Sequence, residues 1–141
     1  MTIKEQVEDV ISVVCESYGI KSAQLTSNAG KPYPEARRMI YYIVKIVLDI
    51  QINNKDLDII VRNKRDNATV SGGIKQFAYD IKSNNRLRLR LQNVMHIYYN
   101  GQSSLSKKVG NLLKFIIQMN DINLIKNELG VIITKLDTDN L

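Results

Sequence analysis

One cysteine, one histidine, two prolines and no tryptophan occur in 141 residues. Cys15 has no partner for an internal disulfide, so the fold must rest on packing, and a reducing compartment is expected. It falls among the apolar residues of the first helix and reads as a core thiol. His96 has neither a second histidine nor a cysteine at ligand spacing. No metal, cofactor or catalytic triad is expected from these residues, and the chain does not read as an enzyme. Long apolar runs are also missing. The best, Met39 to Ile50, is broken by Lys45 and Asp49 and falls short of the roughly 20 residues that cross a bilayer. Glu5, Glu8 and Asp9 interrupt the first apolar stretch, which therefore does not read as a secretory signal. What is present is ordinary: 44% hydrophobic and 24% charged residues, enough for one buried core and too apolar for a disordered chain. The expectation is a soluble cytoplasmic protein.

Charge is distributed unevenly. Lys and Arg number 20 against 14 Asp and Glu, a formal +6. Residues 1–30 are net −2 and residues 101–141 net +1, while residues 31–100 hold 13 basic and six acidic side chains, net +7. The middle of the chain thus carries the excess, which points to one positive surface and a polyanionic partner.

The apolar residues recur at helical spacing, and short polar residues punctuate them. Thr2 with Glu5 reads as a capping box, followed by a helix to about Tyr18 that ends at Gly19. Ser22 to Leu25 reads as a short helical turn and residues 27–34 as a loop. A long central helix is expected from Glu35 to about Asp49, with Pro34 at its start. Asn53 or Asn54 should cap a short helix from Lys55 to about Arg62. After the turn Asn63-Lys64-Arg65, Asp66 or Asn67 should cap a helix reaching about Ser83, with Val70, Ile74, Phe77 and Ile81 on one face. Gly72 and Gly73 inside that helix each cost about 1 kcal/mol against Ala and suggest close backbone approach to a packed helix or a ligand. Arg86-Leu-Arg-Leu-Arg-Leu91 alternates like a strand, but no partner strand is evident, and Leu87, Leu91 and Val94 or Met95 fit a helix. Beyond Asn100-Gly101, Leu105 to Met119 and Ile122 to Leu136 suggest two more helices. The chain reads as all-α: a helix-turn-helix bundle over residues 1–99 and a C-terminal helical extension over residues 100–141.

Two helices joined by three or four residues form a helix-turn-helix, and in that motif the N-terminal end of the second helix reaches base edges in the major groove. Here that end reads Arg65-Asp-Asn-Ala-Thr-Val70, preceded by Lys64. Arg65 can pair with a phosphate or guanine, Asp66 can accept from cytosine, and Asn67 can bind adenine with both amide atoms. Ala68 can touch a thymine methyl, and Thr69 can donate to a phosphate.

The segment resembles the C-terminal DNA-binding domain of the bacterial replication initiator DnaA. That family's signature Arg-Asp-His-Thr-Thr-Val is matched at Arg65, Asp66, Thr69 and Val70. Ala36-Arg37-Arg38-Met39-Ile40-Tyr41-Tyr42 is similar to the start of the family's long helix, and Gly30-Lys31-Pro32 is similar to its basic loop. Tyr18 to Leu25 is similar to its opening. The resemblance spans roughly residues 3–98. It implies a helix-turn-helix fold of the Trp-repressor-like type and double-stranded DNA as partner, in replication or transcription control. It further implies that Lys31 reaches the minor groove and that Arg37 and Arg38 hold phosphates. Asp66, Asn67 and Ala68 would then read bases, with Thr69 and Lys75 on the backbone. Asn67 stands where the family has a base-reading His, Ala68 replaces the first Thr, Lys31 stands for an Arg, and Arg62-Asn63-Lys64 replaces the glycines of the turn. These departures bear on the target sequence more than on the mode of binding. No Gly-x-x-x-x-Gly-Lys-Ser/Thr is present, so the resemblance implies no nucleotide chemistry.

Plainer readings stand beside these. Arg65 to Val70 also fits an ordinary capped helix start, and Arg37-Arg38 solvated charge on a core helix. Arg86, Arg88 and Arg90 read as solvated surface, with Arg86 and Arg90 on one face and Arg88 pointing away. Asp56 and Asp58 point to different sides of their helix and do not form a catalytic pair. Asp137 and Asp139 belong to a short tail. The tyrosines Tyr41, Tyr42, Tyr98 and Tyr99 read as core and rim. The rival function is a non-catalytic helical structural or interaction protein that has lost specific readout, phage-encoded and virion-associated. It would bind a second copy or a protein partner through residues 103–136, where Leu112, Leu113, Phe115, Ile116 and Ile117 cluster.

Overall fold

A computed structural model describes residues 1–101, 109–111 and 113. The chain divides into one compact unit, Met1–Gln102, and a second, Ser103–Leu141. The expected helices after Gly101, the apolar cluster around Phe115 and the partner surface in residues 103–136 lie almost wholly outside the described residues. Among the described residues all regular structure is helical, and no helix is long and apolar enough to cross a membrane.

The first unit is built from five helices: α1 (Ile3–Tyr18), α2 (Tyr33–Tyr42), α3 (Asn54–Arg62), α4 (Asn67–Ser83) and α5 (Asn85–Asn100). Their ends are set locally. The Thr2 side chain accepts from the Glu5 N–H, and Gly19, at φ 66°, closes α1 in the left-handed conformation that glycine adopts without strain. Asn53 caps α3, Asp66 caps α4 and Asn84 caps α5, each accepting the N–H three residues on. Between α1 and α2, Ser22–Thr26 forms a single 3₁₀ turn.

The central helix departs from expectation. Regular α winding stops at Tyr42, and Ile43–Val47 continues as a wider π segment in which the Leu48 N–H donates to the Ile43 carbonyl at 2.8 Å. The returning chain is tied to this end: Ile50 N–H donates to the Val44 carbonyl at 2.9 Å, and Lys45 Nζ donates to the Ile52 carbonyl. Crowding among the β-branched residues Ile43, Val44, Ile46 and Val47 also weakens α winding here. Asp49, at φ 48°, then turns the chain away.

α2 lies at the centre and packs on α4, α1 and the 3₁₀ turn; α1 packs on α5 and α3, and α4 on α3 and α5. Val7, Val10, Val14, Met39, Ile40, Leu57, Val70, Phe77, Leu91 and Met95 fill the core. Tyr42 meets Phe77 across the α2–α4 contact with ring centroids 4.9 Å apart. α5 is helical, as the spacing of Leu87, Leu91, Val94 and Met95 predicts; all four are buried.

Two of the three arginines expected on a solvated face are instead engaged. Arg90 donates to the Ser17 carbonyl at 2.8 Å and lies over the Tyr18 ring, 4.2 Å from its centroid, while the Tyr18 hydroxyl donates to Glu35 at 2.5 Å. That chain joins α5, the C-terminus of α1 and the N-terminus of α2. Arg88 donates to the Ile81 carbonyl at 2.9 Å and so closes the end of α4; of the three, Arg86 is the exposed one. The reason is the orphan carbonyls at helix C-termini, which a guanidinium on a packed neighbour can satisfy.

The two adjacent glycines of α4 have different surroundings. A Cβ on Gly73 would lie 3.3 Å from Arg38 Cγ and from Tyr41 Cδ2, whereas one on Gly72 would meet nothing within 4 Å. Gly73 therefore permits the close α2–α4 crossing, and nothing in the fold requires Gly72. In chemical denaturation Gly72→Ala should add about 1 kcal/mol of stability through helix propensity. Gly73→Ala should lose about 1 kcal/mol, because overpacking against the buried Tyr41 ring outweighs the same gain.

Candidate nucleic-acid interface

The α3–turn–α4 segment is organised around one buried carboxylate. Asp58, on α3, is fully buried. It accepts from the Tyr41 hydroxyl at 2.9 Å, from Arg62 Nε at 2.7 Å and Nη2 at 2.8 Å, and from the Asp66 N–H at 3.0 Å. These bonds join α2, both ends of the turn and the cap of α4. Burial pushes the Asp58 carboxyl up, but the bonds from Arg62, Asp66 and Tyr41 outweigh it and hold the group below the usual carboxylate range. The bond to Asp58 raises the Arg62 guanidinium further. Burial raises the Tyr41 hydroxyl, and the Asp58 charge adds to it, so that the hydroxyl stays a donor.

Between Arg62 and Asp66 the chain reverses through Asn63, at φ 58° and ψ 38°. Asn is among the few residues other than glycine that adopt this left-handed conformation at small cost, so the turn closes without a glycine. Lys64 and Arg65 stand exposed on it.

The expected reading end of α4 is exposed from Arg65 to Ala68, and Asp66 and Asn67 within it have intramolecular partners. Asp66 accepts from the Thr69 N–H at 3.2 Å and the Thr69 hydroxyl at 2.7 Å. These two bonds hold its carboxyl below the usual range. Asn54 Nδ2 donates to Asn67 Oδ1 at 2.8 Å, which occupies the amide oxygen of this exposed side chain and leaves its Nδ2 as the donor. Ala68, Gly72 and Lys75 follow one another on a single exposed face.

The remaining expected residues are dispersed around this end. Lys31 is exposed in the loop before α2. Arg37 is turned inward: its Nη1 donates to the carbonyls of Leu25 at 2.9 Å and Ser27 at 3.0 Å and braces the loop. Arg38 is half-buried beside Gly73. Sequence reasoning missed Asp58, Arg62 and Asn54. The signal for the first two was the i, i+4 Asp–Arg spacing on the apolar face of α3; nothing in sequence announces the Asn54–Asn67 bond.

The chain matches no family model, no curated protein and no solved structure.

Replacing Asp58 removes the counter-charge of Arg62, whose side chain is only 15% exposed. Asp58→Ala should cost about 3 kcal/mol, read as a lower denaturant midpoint. The pH dependence follows in sign. The folded state holds the Asp58 proton more weakly than the unfolded chain. Its contribution is therefore complete above the ordinary carboxylate pKa of about 3.9 and is lost as pH falls below it. Stability between about pH 4 and 2 should fall more steeply in the wild type than in Asp58→Asn, whose amide does not titrate there.

Proposed function

We propose that the chain binds double-stranded DNA through a helix-turn-helix formed by α3, the turn and α4. In this reading it is a stand-alone relative of the initiator's DNA-binding domain, acting on DNA in the cytoplasm in replication or transcription control. The observation that carries the reading is the exposed N-terminal end of α4. Lys64, Arg65 and Ala68 stand exposed there beside Asn67, whose amide Asn54 holds, on a turn pinned by a buried ion pair. A positioned, solvent-facing set of cationic and amide groups at a helix start suits major-groove contact. It lies in the segment that holds the positive excess, which suits phosphates.

The roles divide by geometry. Arg65 and Lys64 pair with phosphates or a guanine, Asn67 offers its amide N–H to a base acceptor, and Ala68 packs on a thymine methyl. Asp66 and Thr69 chiefly shape the helix start, since each occupies the other. Arg37 supports the interface by holding the loop that carries Lys31. Lys31 is assigned to the minor groove, and Lys75 to a phosphate one turn or more along α4.

The same internal bonds favour a second reading. Asp66, Thr69 and the Asn67 oxygen are satisfied within the fold, as they would be in a helical structural protein that keeps the architecture without base readout. That protein, phage-encoded and virion-associated, would assemble with a second copy or a protein partner through residues 103–136.

Selection from a randomised duplex library at roughly physiological salt separates the two, because non-specific binding is weak there. An enriched motif is expected. In that motif Asn67→Ala should relax choice at one position and cost about 1–3 kcal/mol, while Lys75→Ala should weaken all duplexes alike and reduce the salt slope by about one. No duplex binding, together with a mass that rises with concentration, would establish the structural reading instead.

A further inference from the structure

Between α2 and α4 lies a cleft of about 270 Å³ lined by Arg37, Arg38, Arg62, Thr69, Gly72 and Gln76. Two of its features serve nothing inside the fold. Gly72 is exposed in the middle of a 17-residue helix, where an alanine Cβ would meet no atom within 4 Å. A glycine there weakens the helix without relieving any contact. The Nε of Arg38 is buried and meets no hydrogen-bond acceptor, although buried donors are nearly always satisfied.

The other two guanidinium groups are engaged. Arg37 holds the Leu25 and Ser27 carbonyls, and Arg62 holds Asp58. Their charges remain close together: burial lowers Arg37, and Arg62 and Arg38 press it down further. A concave site with clustered guanidinium charge, an unused N–H and a bare backbone wall suits a tetrahedral oxyanion.

We propose that Gly72 is left bare so that the sugar-phosphate strand of a DNA duplex can approach the α4 backbone and seat one phosphate in this cleft, beside Arg38, for which the resemblance already implies a phosphate contact. Gly72 lies one turn beyond Ala68 on the same exposed face, so a duplex read at Ala68 brings a strand past it. The inference rests on the duplex-binding reading and adds to it a shape requirement: the site excludes any side chain at 72.

The test uses the full chain as wild type, Gly72→Ala and Arg38→Gln, measuring the thermal midpoint and the duplex affinity from about 50 to 200 mM salt. Gly72→Ala should melt a few degrees higher and yet bind duplex about tenfold more weakly, a loss of about 1.4 kcal/mol. Arg38→Gln should lower the salt slope by about one. A Gly72→Ala chain that melts higher and binds like the wild type would overturn the cleft assignment and leave duplex binding intact. A wild type that binds no duplex overturns the DNA reading, and inorganic phosphate then serves as the probe. A phosphate-dependent rise in melting temperature, lost in Arg38→Gln, would support an oxyanion site for a small solute; no rise would overturn that as well.

Discussion

The buried carboxylate of Asp58 is the constraint on which the rest of the described unit depends. An ionised group with no exposure is tolerated only where its lone pairs are met. Here the Tyr41 hydroxyl, two N–H groups of Arg62 and the Asp66 N–H meet them. Each partner comes from a different part of the chain: the C-terminal end of α2, the end of α3 and the cap of α4. Satisfying one carboxylate therefore fixes the crossing of α2 over α4, the length of the turn and the first residue of α4 together. The left-handed Asn63 is the backbone conformation that lets the Arg62 side chain and the Asp66 N–H both reach Asp58.

Net charge, counted from sequence, overstates the positive surface. Arg37 and Arg90 turn their guanidinium groups to backbone carbonyls, Arg88 closes the end of α4, and Arg62 neutralises Asp58. Arginine suits these positions because its planar fork reaches several acceptors while its stem packs on apolar neighbours. The exposed cations that remain in the middle segment are Lys31, Lys55, Lys64, Arg65, Lys75, Lys82 and Arg86. Four of these seven fall in the turn or on α4, so more than half of the exposed positive charge of this segment lies on the elements of the proposed interface even after the engaged arginines are set aside.

That interface is more preorganised than a list of its residues suggests. The Asn67 amide is oriented by Asn54, and the Asp66 carboxylate is consumed in starting the helix that carries Asn67. Such bonds reduce what each side chain can offer a partner. They also reduce the ordering cost of contact, since these side chains are already held.

Local pattern fixes much of this unit. The helical starts at Thr2, Asn53, Asp66 and Asn84, the stop at Gly19 and the helical state of Arg86 to Leu91 follow from contacts three or four residues apart, which any sequence displays. The candidate residues at the start of α4 were legible for the same reason: a cap, a turn and a polar helix start are adjacent in sequence. What sequence does not display is a meeting between distant groups. Arg90 reaches Ser17 across 73 residues, and Tyr41 reaches Asp58 across 17. Only that packing turns Arg90 and Arg37 inward, ends regular winding at Tyr42 and distinguishes Gly73, where a Cβ would press on Tyr41, from Gly72, where it would meet nothing. Helix propensity and capping are properties of neighbours along the chain; burial, and with it the partner of every polar group, is decided when the helices pack.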